Sequence, residues 1–386
     1  MPVASHTISS YARRWTNTSS SGKFDVFDYI DPLIGTAHGG HVFAGATLPF
    51  GMAKAVADSN NPDERQGGFS TNASVTEITG FSHMHDSGTG GNPSLGNFPL
   101  FVQSGCPGDD INNCKFTKTD RATEWINGSV KAKPGYFSLL MNTSIQAEMT
   151  VTEHTALYRF TFPTTPVPGN GSRPFSSRPL IHVDLTDLPD SRINGSVAVD
   201  PETGRMTGNG TFQPSFGIGN YDLHFCADFS GASVKDTGVW MNNRAGSQPK
   251  SLSIVSDGIN IPPLPAGAWT QFEPPANGTR LLARVGLSLI SVEQACSNAE
   301  KEIPDFDFER VRKVAEATWR EKLGVISIDA TGVSDKLQTV FWSGTYRSMI
   351  SPQDYTGENP LWESDEPYYD SYYWYDCSNT CFVHFG

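Results

Sequence analysis

The stretch LLARVGLSLISVEQACSNAEKEIP, residues 281–304, changes its hydrophobic period halfway along, and that change divides the chain. Leu281, Ala283, Val285, Leu287 and Leu289 keep a period of two, as a strand with one buried face requires. At Ser291 the period lengthens to about 3.6. SVEQ, Ser291 to Gln294, has the form of a capping box, and Val292, Ala295, Ala299 and Ile303 then share one helical face until Pro304 ends it.

Toward the N-terminus the strand rhythm continues. Tyr221, Leu223, Phe225, Ala227 and Phe229 alternate, as do Ile145, Ala147, Met149 and Val151. From Phe24 to residue 290, short β-branched and aromatic runs are punctuated by Gly, Pro and Asn clusters, which predicts an all-β sandwich. Toward the C-terminus, Phe308, Val311, Ala315 and Leu323 predict a second helix behind an Asp307 cap. Leu337, Val340 and Phe341 predict a third, opening near Ser334, with these three residues on its inward face and its end before Pro352. The expected organisation is mainly β: a disordered tail over 1–23, a β-sandwich over 24–290, a helical linker over 291–333, and a further helical part over 334–386.

Of the 386 residues, 28 are Lys or Arg and 41 are Asp or Glu, a net charge of -13 without long runs. That balance argues against a nucleic-acid partner or a polybasic membrane patch and suits a neutral or cationic small ligand. No run of 18 apolar residues predicts a membrane span. Residues 1–30 lack the apolar core of a secretory signal, yet eight N-x-S/T sequons, at Asn17, Asn72, Asn127, Asn142, Asn170, Asn194, Asn209 and Asn277, give the body a secreted character. Roughly four are expected by chance. The six cysteines allow several pairings; Cys106 and Cys114, bracketing the short polar loop CPGDDINNC, are the pair the spacing favours.

Two glycine-rich loops hold four of the nine histidines: GTAHGGHVFAGATLPFGM (35–52) and GFSHMHDSGTGGNPSLGNFPLF (80–101). Permissive backbone packed with titratable groups is costly in a plain core and suits a ligand site. The plain alternative is a loop whose polar groups bond to backbone. His38, His41, His83, His85 and Asp86 are the candidates, with Gly67 and Gly68 in a neighbouring turn of a kind that is more often a hairpin than a ligand contact. A third stretch, SPQDYTGENPLWESDEPYYDS (351–371), interleaves aromatics with carboxylates, including Asp354, Glu358, Trp362, Glu363, Asp365 and Glu366. A flat ring for a pyranose face and carboxylates for its hydroxyls are what a sugar site uses; a solvated acidic loop is the alternative. The H-x-x-H and H-x-H spacings also admit a His-ligated metal-binding β-sandwich, although no further ligand stands at a telling spacing.

DPLIGT followed by GGHVFAGATLPFGM, then GFSHMHDSGTG, then FWSGTYRSMISPQDYTGENPLWESDEPYYDS, resembles glycoside hydrolase family 92, in particular its secreted fungal α-mannosidases, over most of Phe24 to Ser371. The resemblance implies an N-terminal β-sandwich, a helical linker and an (α/α)6-barrel catalytic domain with the site at their junction. It also implies calcium-dependent, exo-acting removal of α-mannosyl residues, often α-1,2-linked on N-glycans, with inversion. Inversion needs a carboxylic acid and a carboxylate about 6.5–9.5 Å apart. In the family these, and the calcium-holding residues, lie deep in the barrel. Residues 334–386 are therefore expected to be a truncated start of that barrel, with the catalytic pair beyond residue 386, no calcium bound by this chain and no turnover. The last fifteen residues depart from the family pattern: Trp374 and Asp376 are separated and no Arg follows, which reads as a truncated or mis-spliced product.

By the same resemblance, His41, Gly67, Gly68, His83, His85 and Asp86 are expected to line a mannose pocket from the sandwich side; the interleaved aromatics favour a substrate-facing later loop with Asp354, Glu358 and Trp362. The partners implied are mannose-containing glycans and the location is extracellular. A carbohydrate-binding or purely structural β-sandwich is the reading from another class. Without the rest of a barrel, Leu337, Val340, Phe341 and Trp342 are expected to form an exposed apolar stripe that promotes aggregation.

Overall fold

The computed structural model describes residues 24–61, 65–88, 93–163, 178–215, 219–255, 264–275, 280–355 and 357–358. Two nine-stranded antiparallel sheets face each other. The first runs through strands Ala46–Thr47, Lys54–Ser59, Glu77–Ser82, Leu100–Gln103, Leu180–Asp184, Ala266–Phe272, Val234–Met241 and Arg244–Gly246, with Thr123–Glu124 paired to Glu77–Ser82. The second runs through Ser251–Val255, Arg192–Val199, Met206–Phe212, Tyr221–Ser230, Arg280–Ser288, Thr155–Thr161, Gln146–Val151, Tyr136–Leu140 and Lys131–Lys133.

Alternation decides which residues fill the space between. Leu281, Ala283, Val285, Leu287 and Leu289 are all buried, as are Ile145, Ala147, Met149 and Val151. Phe81 of the first sheet meets Phe160 of the second with ring centroids 5.3 Å apart. The fold class is the mainly β sandwich that the period of two requires.

After the last strand come helices Val292–Glu302, Phe308–Leu323 and Asp335–Arg347. Ser291 caps the first, accepting from the Gln294 N–H at 3.1 Å. The reciprocal half of the capping box does not form, because the Gln294 side chain is drawn away to Glu358. In the second helix Phe308, Val311, Ala315 and Leu323 are buried, and Trp319 joins them. The Trp319 indole donates to the Thr47 carbonyl at 2.6 Å, and its ring lies 4.5 Å from that of Tyr346. One side chain thus fixes the second helix, the first glycine-rich loop and the third helix relative to one another.

The inward face of the third helix differs from the expected one. Gln338, Trp342, Ser343 and Tyr346 are buried, whereas Leu337, Val340 and Phe341 are 59%, 65% and 42% exposed. The helix docks on the segment after residue 24: Trp342 packs against Phe24, and the Ser343 hydroxyl accepts from the Asp31 N–H at 3.0 Å. Trp342 therefore leaves the exposed stripe, and the other three remain on it.

Disulfides join Cys106 to Cys114 and Cys226 to Cys296. The second staples the central strand Tyr221–Ser230 to the first helix. Cys377, Cys381 and Trp362 lie outside the described residues. Among the described residues, no helix is long and apolar enough to cross a membrane.

Candidate functional site

The two glycine-rich loops and the segment after the third helix form one layer over the end of the first sheet. Gly88 N–H donates to the His41 carbonyl at 2.8 Å, and the Ser87 hydroxyl accepts from Phe43 N–H at 3.2 Å. Ser351 Oγ donates to the Ser87 carbonyl at 2.8 Å, Phe50 N–H to the Met349 carbonyl at 2.9 Å, and Asp354 N–H to the Phe50 carbonyl at 2.8 Å. Three segments far apart in sequence are thereby held edge to edge. Within the first loop, His38, His41 and Phe50 all have positive φ, at 62°, 50° and 60°. Such conformations cost a non-glycine residue about 1 kcal/mol or more, and they concentrate where a backbone is held for a task.

The histidines of the second loop are buried, whereas His38 is exposed and His41 half-buried. His83 is fully buried, its Nδ1 2.6 Å from the Tyr158 hydroxyl and its Nε2 3.1 Å from the Phe98 carbonyl. Burial pushes its pKa down to about 4, so the ring is neutral. The hydrogen-bond network then assigns the donated proton to Nε2. His85 is also buried: Nε2 lies 2.9 Å from Asp58 Oδ1 and 2.7 Å from Ser82 Oγ, and Nδ1 lies 3.1 Å from the Gln66 carbonyl. Burial raises the Asp58 carboxyl, but the facing His85 and the Ser82 hydroxyl outweigh it and hold the group below its usual value. Both rings brace the loop from beneath.

Gly67 and Gly68 complete that brace. A Cβ on Gly67 would sit 2.6 Å from the Val42 carbonyl oxygen, and one on Gly68, at φ 79°, would sit 2.9 Å from His85 Nε2. The turn is glycine because the first loop presses on Gly67, and Val56 and the His85 ring press on Gly68.

Asp86 is buried, and among the described residues neither carboxylate oxygen has a hydrogen-bond partner. Burial raises its pKa to about 7 against the attraction of Lys54. Lys54 is equally buried, donates to the Gly51 carbonyl at 2.8 Å, and is pushed down to about 7 by the same desolvation. The two form no ion pair. Two under-solvated groups of opposite type thus lie beneath the loop layer, on which His41 and Phe50 are half-buried and Gly88 and Asp354 exposed.

Glu358 takes a structural position. Its Oε2 accepts from Ser288 Oγ and Leu289 N–H, both at 2.7 Å, and its Oε1 from Gln294 Nε2 at 2.9 Å and Asn298 Nδ2 at 3.1 Å. Four donors saturate the carboxylate, which pins the later loop to the junction of sandwich and helix.

The His-ligated metal centre is not formed. Among the described residues no three His, Cys, Asp or Glu side chains come together as a metal site. The ring nitrogens of His83 and His85 already face Tyr158, Phe98, Asp58, Ser82 and Gln66. Imidazole nitrogens are also not the oxygen ligands that calcium takes.

A cavity of about 760 Å³ lies elsewhere, between Asn60, Glu77, Lys118, Asp187, Arg192 and Leu264, and a small one of about 40 Å³ abuts Asp58 and His85. Lys54, Asp58, Ser82 and Tyr158 escaped the reading of the sequence. Strand Lys54–Ser59 is buried along its whole length, so no alternation marks its polar members. A lysine and an aspartate around the apolar run Ala55 to Ala57 are the only signal.

Comparison with known proteins agrees with this architecture. Residues 29–288 match the glycosyl hydrolase family 92 N-terminal domain, and residues 294–384 match the glycosyl hydrolase family 92 catalytic domain. An uncharacterized secreted glycosidase of Arthroderma benhamiae is 59% identical over 352 residues, 90% of this chain and 44% of that protein. The solved family 92 glycosyl hydrolase ccman5 is 24% identical with a TM-score of 0.71, covering 86% of this chain and 42% of its own. The family 92 α-mannosidase BT3965 of Bacteroides thetaiotaomicron, solved with mannoimidazole, is 21% identical with a TM-score of 0.66, covering 85% of this chain and 40% of its own. The chain thus spans less than half the length of these relatives. On the match of the N-terminal domain across most of its length and on the 59% identity to a glycosidase, the chain belongs to glycosyl hydrolase family 92.

Proposed function

We propose that this chain forms the sandwich-side wall of an exo-acting α-mannosidase that hydrolyses terminal α-mannosyl residues, α-1,2-linked on N-glycans, with inversion. One observation supports the reading: hydrogen bonds hold the loop of His41, the loop of Gly88 and the segment of Asp354 edge to edge, with His41 half-buried and Asp354 exposed. Imidazole and carboxylate are groups that recognise sugar hydroxyls. Asp86 is a buried carboxyl without a hydrogen-bond partner among the described residues, which an ordered water satisfies. Gly67, Gly68, His83 and His85 act through the loop rather than on the sugar, and Glu358 holds the later loop in place.

Inverting hydrolysis needs two carboxyl groups with a water between them. Asp354 is exposed near Glu153, whose carboxyl is raised by burial and by that neighbour, and Asp86 is buried. The acid and base, and with them calcium, belong in this reading to the part of the relatives' length that this chain does not span. The chain by itself is then a mannose-facing surface without turnover. Secretion fits the sequons and the secreted relative.

The test is hydrolysis of α-1,2-mannobiose by the purified chain with added calcium. No mannose release above buffer is expected. Sustained release, lost on heating, would show that the chain holds its own acid and base and overturn the reading.

A further inference from the structure

We propose that the outer face of the second sheet carries a single N-linked glycan, on Asn194, and that the adjacent sequon at Asn209 stays bare in the folded, secreted protein. The two sequons lie on neighbouring antiparallel strands in a reciprocal register. Asn194 pairs with Thr211, Gly195 with Gly210, and Ser196 with Asn209. Each acceptor asparagine therefore faces the hydroxyl residue of the other sequon. Asn194 and Asn209 are diagonal neighbours, which on an antiparallel pair sit about 7–8 Å apart.

The glycines between them fix the direction of both asparagines. A Cβ on Gly195 would lie 2.9 Å from Leu185 Cδ1, and one on Gly210 would lie 2.9 Å from Phe212 Cε2. The middle residue of each sequon faces the packed interior, so both asparagines project from the opposite face and are half-buried there. A linked glycan is bulky and needs surface, and two rooted this close on a flat sheet compete for the same space.

Two asymmetries choose Asn194. Ser196 Oγ donates to Asn209 Oδ1 at 2.6 Å, holding that amide against the sheet, whereas among the described residues no hydrogen bond holds the Asn194 side chain. Asn194 also lies one strand nearer the sheet edge, where its outer neighbour is Val255, 67% exposed. Asn209 is instead flanked by Ser196 and His224.

The proposal rests on the secretory reading, and the experiment supplies that step. The chain is expressed behind a yeast leader, recovered from the medium, and each sequon's occupancy is read by peptide mass spectrometry after glycan release in heavy-oxygen water. Asn127, exposed at the corner of the Ile126–Ser129 turn, is the internal reference. The expected result is an occupied Asn194 and an Asn209 at least tenfold less occupied. N194Q and S196A, which each destroy the first sequon, raise Asn209 occupancy, and T211A leaves Asn194 unchanged. Joint occupancy of both sites, preference for Asn209, or a bare pair beside a modified Asn127 would each overturn it. Because the leader is added, none of these outcomes bears on whether the natural chain is secreted or faces mannose.

Discussion

Glu358 accepts the side-chain amide of Gln294 at 2.9 Å, so the residue that would close the capping box on Ser291 instead anchors the loop after the third helix. The interaction joins sandwich, linker and loop at one carboxylate that also receives Ser288, Leu289 and Asn298. E358A leaves those buried donors unsatisfied and is expected to cost about 3 kcal/mol, with E358Q losing less. Urea midpoints at constant slope measure the difference. An E358A midpoint within error of the parent would show the anchor to be idle.

Lys54 and Asp86 are each buried with no ion-pair partner among the described residues, and burial drives the lysine down and the carboxyl up, both to about 7. The raised Asp86 carboxyl contributes stability that is present below pH 3.8 and lost as pH rises toward 7. The depressed Lys54 contributes stability that is present above pH 10.5 and lost as pH falls toward 7. Removing Lys54 alone strands Asp86, so K54M should destabilise more at pH 8 than at pH 5. The double variant K54M/D86N should recover stability by about 1–3 kcal/mol relative to the sum of the singles. A double-mutant cycle of unfolding free energies at the two pH values reads the coupling.

His83 and His182 predict acid sensitivity. His182 is fully buried among Phe101, Phe116 and Trp240, where burial and nearby Arg121 hold its pKa well below the usual value; His83 is down at about 4. Both have folded pKa values below the unfolded 6.5, so the unfolded chain takes up protons first and stability falls as pH drops below 6.5. Lowered Lys54 and His224 add to this slope, and raised Asp86, Asp187, Glu153 and His154 oppose it. Thermal scans read the His182 share: H182F should raise the melting temperature at pH 5 by about 3 °C while changing it little at pH 7.

The Cys226–Cys296 bridge spans 70 residues of chain. Loop-closure entropy alone makes such a bridge worth about 4 kcal/mol. C226S/C296S should lower the denaturant midpoint accordingly, and the short Cys106–Cys114 loop should matter less on the same measure.

The exposed stripe of Leu337, Val340 and Phe341 predicts self-association. L337E/V340E should shift the chain toward monomer in analytical ultracentrifugation without lowering its melting temperature, since neither side chain contributes to the packed face of its helix.

The sandwich was legible because its strands bury one face, so a period of two appears wherever Leu281 to Leu289 or Ile145 to Val151 is read. The third helix misled because helical spacing identifies a stripe without saying what will cover it. Leu337, Val340 and Phe341 repeat as an inward face would, while the packed face is built from Trp342 and Tyr346 together with Gln338 and Ser343. At the candidate site, glycine-rich loops were visible as such. The division of labour within them was not: nothing in H-M-H tells a brace from a ligand contact, since that depends on Tyr158 and Asp58 arriving from other strands. Glu358 looked like part of a sugar-facing acidic loop for the same reason, its four donors lying 60 or more residues away in sequence.

Titration of the isotope-labelled chain with mannose, followed by amide NMR, tests the central claim most directly. Shifts confined to His41, Ser87, Gly88 and Asp354, with none at Asn60, Lys118 or Leu264 around the large cavity, are the predicted result. Shifts at that cavity with an unmoved His41 to Asp354 layer would contradict it.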